Sequence, residues 1–352
     1  MSTDATLGAP VTEFELPPAS EASAPPERRG LERDGVRLLA AGPLAVEHRR
    51  FRDLPQLLSP GDLLVINTSA TLPAALEARL EGGERARVHV STQLDDGRWV
   101  VEVRLRDGSG PDLAVVRGDR LRLRGGLDLT LERPYPDPEA ALSRLWLASA
   151  GSPVSVATYL HGHGEPIRYR HLAGRYPLAE HQTVYATEPG SAEMVSAGRP
   201  FTASLLVRLL ARGVTVAPVV LHAGVSSQEL PERPLPERFE VPAATARLAR
   251  SARAAGARVV AVGTTVVRAL ESAAGDAAEV RASAGWTDVV LGPDRPARVV
   301  DGLVTGLHAP ASSHLLLLEA VAGEALVGAA YTAALERGYL WHEFGDSTLF
   351  LP

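Results

Sequence analysis

The chain contains no cysteine and no lysine, a single asparagine (Asn67) and only two isoleucines, Ile66 and Ile167. Without cysteine there is no disulfide framework, no thiolate zinc site and no thiol nucleophile. Without lysine, Schiff-base chemistry is excluded, and all 36 fixed side-chain cations are arginines. Lysine, asparagine and isoleucine have AT-rich codons, so their joint depletion reflects a GC-rich gene rather than selection on activity. Long apolar runs are also missing. Nothing approaches the roughly 18 apolar residues a spanning helix needs, and the N-terminus lacks the basic-then-apolar pattern of a signal sequence. The expectation is a cytoplasmic protein with no membrane partner. The formal charge of −6 argues against a broad nucleic-acid surface, while leaving room for a local arginine stripe.

What is present is a globular composition, 45% hydrophobic and 22% charged over 352 residues, long enough for two domains or for one domain with a sizeable insertion. Residues 1–30, rich in Ala, Pro, Ser and Glu, read as a mobile segment in which Phe14-Glu-Leu-Pro-Pro18 could anchor an edge. Residues 31–73 plus 149–352 read as an α/β main domain. Its strands are expected at Val36–Ala40, Leu63–Ile66, Val214–Leu221, Val259–Val262 and Val289–Leu291. Helices are expected at Phe51–Leu58, Thr202–Ala211, Ala243–Ala255 and Leu315–Ala333. Between them, residues 74–148 switch to period two. Arg87–Ser91, Trp99–Arg106, Leu121–Arg124 and Leu127–Glu132 each alternate apolar with polar, and Asp95-Asp-Gly97 and Asp107–Gly110 supply turns. Short strands at regular spacing imply a small antiparallel β-barrel or sandwich inserted into the main domain.

The most informative segment is Arg258–Ser272. A buried strand runs into Gly263-Thr-Thr265 and then into a helix with Val267, Leu270 and Ala274 on one stripe. Gly263 permits a sharp turn, and a hydroxyl of Thr264 or Thr265 is expected to cap the helix. Such a junction presents free N–H groups at the carboxyl edge of a sheet, where anionic ligands settle; an ordinary α/β connection binding nothing has the same pattern. Arg268 and Glu271, three apart, are expected to pair on one helix face, with Arg268 either a structural partner or turned toward a ligand. His161-Gly-His163 with Glu165 has the look of a metal cluster but fits a loop, with no third ligand placed. His48–Arg52 reads as a solvated helix start or as a phosphate contact.

The order of several further motifs resembles the S-adenosylmethionine:tRNA ribosyltransferase-isomerase family of queuosine biosynthesis. They are His48-Arg-Arg-Phe-Arg-Asp-Leu54, Pro60-Gly-Asp-Leu-Leu-Val-Ile-Asn67, Gln182-Thr-Val-Tyr-Ala186, Glu188-Pro-Gly-Ser191, Val262-Gly-Thr-Thr265, Val267–Ser272, Val300-Asp-Gly-Leu303 and Gly345-Asp346. The resemblance spans Phe14 to Ser347 and implies the same architecture, an α/β domain interrupted by a small barrel. It further implies transfer of the ribosyl part of S-adenosylmethionine to a 7-aminomethyl-7-deazaguanine in tRNA, forming epoxyqueuosine and releasing adenine and methionine. No metal is implied, because a sulfonium activates its neighbouring C–H and is itself a leaving group.

Carried onto this chain, the implied catalytic residues are His308, His222 and Asp346. The implied substrate-binding residues are Ser196, Ala197, Gly198, Phe201, Thr202, Gly263, Thr264, Thr265, Arg268, Asp301 and Gly302. His222 and His308 could equally be hydrogen-bonded structural histidines, and Asp301 and Asp346 turn caps. The chain departs from the family at Thr68-Ser69-Ala70 (Asp-Thr-Arg in the family), at Pro200 (His), at Glu232–Glu237 (His-x-Met-His-x-Glu), and at Gly306 and Ala311 (Asn and Arg). The Gly-rich turn is Ala223–Gln228 here. If tRNA is the partner, Arg199, Arg233 and Arg238 are the candidates for phosphate contact. If the acceptor is small, they are expected to pair with Glu232, Glu237 or Glu240. The competing readings are a relative that cleaves S-adenosylmethionine with a small acceptor or none, and a non-catalytic binding protein.

Overall fold

A computed structural model of the chain describes residues 8–17, 19–226, 233–275 and 277–352. A nine-stranded mixed sheet and a closed six-stranded antiparallel barrel dominate it, the mixed α/β architecture implied above. The first strands are β1 (Arg37–Ala41) and β2 (Val46–Arg50), then, after the short helix α1 (Leu54–Leu57), β3 (Leu63–Asn67). Five consecutive apolar or amide residues fill β3, and all are buried, as befits a strand covered on both faces. The short β4 (Ser69–Thr71) leads to the barrel: β5 (Ala75–Leu80), β6 (Arg85–Gln93), β7 (Trp99–Arg104), β8 (Arg120–Leu123), β9 (Asp128–Pro134) and β10 (Leu145–Ala150).

Alternation fills the barrel. Val88 and Val90 of β6, Trp99, Val101 and Val103 of β7, and Leu129 and Leu131 of β9 form its interior. The outer face of β7 is not solvated, since Glu102 is wholly buried and Arg104 nearly so. Glu102 accepts from Arg104 (3.0 Å) and from Arg144 (3.1 Å), and Arg144 also donates to the carbonyl of Val225 in the main domain (3.0 Å).

The chain then forms α2 (Val156–His163), α3 (Leu178–His181), β11 (Glu188–Ser191), α4 (Ala203–Ala211), β12 (Thr215–Leu221), β13 (Glu237–Val241), α5 (Ala243–Ala254), β14 (Val259–Val262), α6 (Thr264–Ser272), β15 (Ser283–Thr287), β16 (Gly302–Gly306), α7 (Ser313–Ala322), α8 (Glu324–Glu336) and β17 (Ser347–Phe350). The sheet order is β15-β13-β12-β3-β14-β16-β17-β1-β2. Strands β12, β3, β14 and β16 run parallel, so their carboxyl ends share one edge.

Several expectations need correction. The helix expected over Leu315–Ala333 is two, α7 and α8, bent by 118°. Gly323, at φ 80° and ψ 146°, sits in backbone space closed to other residues and ends the first helix. Val289–Leu291 is not a strand; the strand lies earlier, at β15, pairing with β13. His48–Arg50 belongs to the edge strand β2, not to a helix start, and His161–His163 lies in α2, not a loop. Within residues 1–30, Ser20 and Ala22 exchange backbone bonds with Trp341, Arg29 donates to the carbonyl of Phe344, and the N–H groups of Val11 and Thr12 donate to Glu319. That part of the segment expected to be mobile is seated on the main domain. Pro18 and residues 1–7 lie outside the described residues. Among the described residues no single helix is long and apolar enough to cross a membrane.

Candidate active site

Where the carboxyl ends of β14 and β16 meet the segments after β11 and β12, a cleft of about 720 Å³ opens. This is the crevice position expected for ligands of open parallel sheets. Its floor is the turn from β14 into α6. Gly263 takes φ 94° and ψ 154°, a conformation reserved for glycine. Its Cα faces Ala197, whose methyl would lie 3.3 Å from a Cβ placed there. Gly263, Thr264, Thr265, Ser196 and Ala197 all line the cleft. Neither threonine hydroxyl caps α6. Thr265 Oγ1 instead accepts from Asn67 Nδ2 (3.2 Å), and the same amide ties the end of β3 to Leu221 of β12 in both directions. In the first turn of α6 the Val266 N–H donates to the Gly263 carbonyl (3.1 Å), while Thr264 and Thr265, whose N–H groups precede any intrahelical acceptor, line the cleft with the positive end of the helix dipole behind them.

His308, on the loop after β16, lines the opposite wall. Its Nε2 lies 3.0 Å from Thr305 Oγ1, its N–H donates to the Tyr331 hydroxyl (3.0 Å), and its carbonyl accepts from the Trp341 indole (3.0 Å). Burial, then the neighbouring His314 and His342, push its pKa well below the ordinary 6.5. The ring is neutral at physiological pH and able to accept a proton. His314 stacks on it with ring centroids 4.7 Å apart and planes 6° from parallel. Burial, followed by Arg268, takes His314 down to about 4.

Two carboxyl groups face the same space. Glu193 accepts from the N–H (3.1 Å) and hydroxyl (2.7 Å) of Ser226, and burial, reinforced by Glu343, pushes it up to about 8. Glu343 Oε2 lies 3.0 Å from His171 Nε2. Sequence reasoning missed Glu193, His171, His314 and Glu343. The legible signals were a lone carboxylate in the apolar stretch Ala192–Val195 and a histidine in the first turn of a helix directly after the His308 loop.

Arg268 also lines the cleft, but Glu271 does not hold it. Its guanidinium donates to Glu237 and to the carbonyls of Val289 (3.1 Å), Leu235 (3.0 Å) and Thr287 (3.2 Å). Glu271 points away and accepts from the N–H groups of Arg298, Val299 and Val300. The expected i, i+3 pair is absent because each partner finds better-placed buried groups.

Other expected site residues do not line the cleft. His222 is turned behind it, its Nδ1 2.7 Å from Ser69 Oγ. Asp346 accepts from the backbone of Arg37 and Leu340 and pairs with the Arg37 guanidinium (2.7 Å). Asp301 precedes and Gly302 begins β16, at the end of the strand away from the cleft, where the Asp301 carboxylate accepts from Val259 N–H (2.9 Å). A Cβ on Gly198 would collide with the Tyr185 hydroxyl. Phe201 is fully buried, and Thr202 caps α4 by accepting from Leu205 N–H (3.1 Å). Arg199 is buried, paired with Glu27 and bonded to the Glu180 carbonyl, which removes it from any phosphate. Arg238 pairs with Asp95 of the barrel rather than with a neighbouring glutamate. Arg233 remains exposed at the rim, whereas Glu232, Ser227 and Gln228 lie outside the described residues. Among the described residues no group of three or more His, Cys, Asp or Glu is arranged to hold a metal. His161 binds the Ala157 carbonyl, and Glu165 pairs with Arg175 (2.5 Å).

A family profile described as queuosine biosynthesis protein matches residues 11–350. The S-adenosylmethionine:tRNA ribosyltransferase-isomerase of Anaeromyxobacter dehalogenans (strain 2CP-C) is 38% identical over 96% of this chain and 98% of its own length. The counterpart from Thermus thermophilus is 35% identical at the same coverage. The crystal structure of S-adenosylmethionine tRNA ribosyltransferase from Thermotoga maritima superposes with a TM-score of 0.53 at 31% identity, covering 96% of this chain and 99% of that one. With full-length matches and the same architecture, the chain belongs to the S-adenosylmethionine:tRNA ribosyltransferase-isomerase family of queuosine biosynthesis.

Proposed function

We propose that the chain catalyses the family reaction. The ribosyl part of S-adenosylmethionine is transferred to the aminomethyl group of a 7-aminomethyl-7-deazaguanine in tRNA and isomerised, with adenine and methionine leaving. The observation that carries this reading is a cleft joining an open helix N-terminus to an uncharged imidazole across the carboxyl edge of the sheet. The first-turn N–H groups of α6 suit the methionine carboxylate. His308 takes a proton from the carbon beside the sulfonium, becoming imidazolium while the C–H electron pair stays on carbon next to the cationic sulfur. Glu343, facing the same space, favours the positive charge of the sulfonium or of the acceptor amine. Arg233 at the rim suits a tRNA phosphate, as a salt-dependent contact. Arg268 acts indirectly, shaping the wall; its bonds are already committed to protein acceptors.

The test incubates the protein with S-adenosylmethionine and either tRNA carrying the 7-aminomethyl-7-deazaguanine or no acceptor, and measures adenine and methionine release. Release confined to the modified tRNA is the expected result. Release without acceptor moves the assignment to a small-acceptor or lyase activity, and no release in either case overturns it. His308→Gln should lower turnover by about 10²–10⁴-fold, the usual worth of a general base, with the melting temperature unchanged.

A further inference from the structure

The stacked histidine pair at the cleft wall contains one member that the proposed chemistry leaves unused. His314 stands in the first turn of α7, and its ring lies nearly parallel to that of His308 at 4.7 Å. The residues flanking His308 on its loop offer it no side-chain partner except Thr305, since positions 306, 307, 309 and 311 are Gly, Leu, Ala and Ala. The plane of the His308 ring is thus set by Thr305 on one side and by the face of His314 on the other.

We propose that His314 is a positioning residue for the reaction. Its ring fixes the plane of His308, and at this separation a charge on either imidazole disfavours a charge on the other, so His308 stays uncharged until it takes a proton from the substrate. This inference rests on the reading of His308 as the base. The groups packed around the pair work in the same direction. Arg268 of α6 faces His314, and His342 of the segment before β17 faces His308. From α8, the Tyr331 hydroxyl is occupied by the His308 N–H. The carboxyl groups nearby are engaged: Glu237 with Arg268, Glu319 of α7 with the N–H groups of Val11 and Thr12, Glu343 with His171, and Glu193 with Ser226. Nothing among the described residues offers either ring a carboxylate partner that would favour its charged form. Both rings sit below the ordinary imidazole range. When His308 does accept the substrate's proton, His314 remains neutral, and its π face supports the new imidazolium.

The experiment compares the full-length protein with His314→Phe, which keeps a flat ring on His308 and removes its titration, and with His314→Gln should the phenylalanine variant not fold. Imidazole nitrogen NMR follows the His308 titration directly, and the pH profile of kcat/KM for S-adenosylmethionine and modified tRNA reports the base of the free enzyme. The expected result is that the His308 midpoint and the acid limb of kcat/KM rise together by about one pH unit, the scale of coupling between adjacent titrating sites. An unmoved His308 midpoint in a folded variant overturns the inference while leaving the base assignment intact, provided His308→Gln is inactive. Full turnover by His308→Gln overturns the base assignment, and the inference with it.

Discussion

Arg268 illustrates how far a single residue can be read before its surroundings are known. Its position on the helix after a Gly-Thr-Thr turn marks it as facing the sheet edge, and it does line the cleft. Its partners come from distant segments, Glu237 and the carbonyls of Leu235, Thr287 and Val289, which no local spacing reveals. Arg268→Ala leaves a buried carboxylate and three carbonyls without their donor. We expect a loss of about 3–5 kcal/mol, seen as a lower urea midpoint, so that any loss of activity accompanies a loss of stability. His308→Gln should show the opposite separation. Glu193 is a second case. Its carboxyl is raised from 4.5 to about 8 by burial, so the native state holds a proton that the unfolded chain releases. Stability is fully present below about pH 4.5, falls as pH rises, and levels off above about 8. Glu193→Gln, which mimics the protonated form, should melt higher than the parent at pH 8 and equally at pH 4, by about 2–4 °C per kcal/mol recovered. The Gly263 turn was legible because its backbone demands glycine, and His308 because it keeps its place on the family motif. Glu193 and His314 were not, because a cleft residue is defined by what lies across from it.

At the level of elements, the strand, turn and helix from Val259 to Ser272 were legible from a short apolar run, one glycine and a 3.6-residue stripe. The cap was misread, since Thr265 is drawn to Asn67 and Thr264 is left at the first helical position. Asn67, the only asparagine, shows why a strand end can require one amide: it donates to Leu221 and Thr265 while accepting from Ser69 and Leu221. The α7–α8 pair was read as one helix because its apolar residues continue through Gly323, and a lone glycine does not announce a bend from sequence. Gly323→Ala forces a side chain into φ 80°, ψ 146°. It should cost about 1–3 kcal/mol, measured by thermal or urea unfolding, without displacing His308.

On the scale of the whole molecule, alternation predicted β6, β7, β8 and β9 of the barrel, missed β5 and β10, and left open what the outer face of β7 meets. Strand period says which residues share a face, not what that face meets. Here it meets the main domain, and Glu102 binds Arg104 and Arg144, the latter reaching Val225 beside the cleft. Burial acts to raise the Glu102 carboxyl, but His89, Arg104 and Arg144 outweigh it and hold it below 4.5. The stability this contributes is present above about pH 4.5 and is lost as pH falls through the depressed value. Glu102→Gln should destabilise the protein by about 3–5 kcal/mol and raise hydrogen exchange at Val225, which a barrel acting independently would not transmit. The order of the large sheet has a further consequence, in time rather than in space. β17 lies between β16 and β1, so β1 and β2, made first, have no neighbour in the parallel core until residues 347–350 emerge from the ribosome. The barrel pairs only strands made in one continuous stretch and can close while the rest is still being synthesised. The edge β1–β2 hairpin must wait through nearly the entire chain, exposed to any factor that captures unpaired strands on nascent polypeptides.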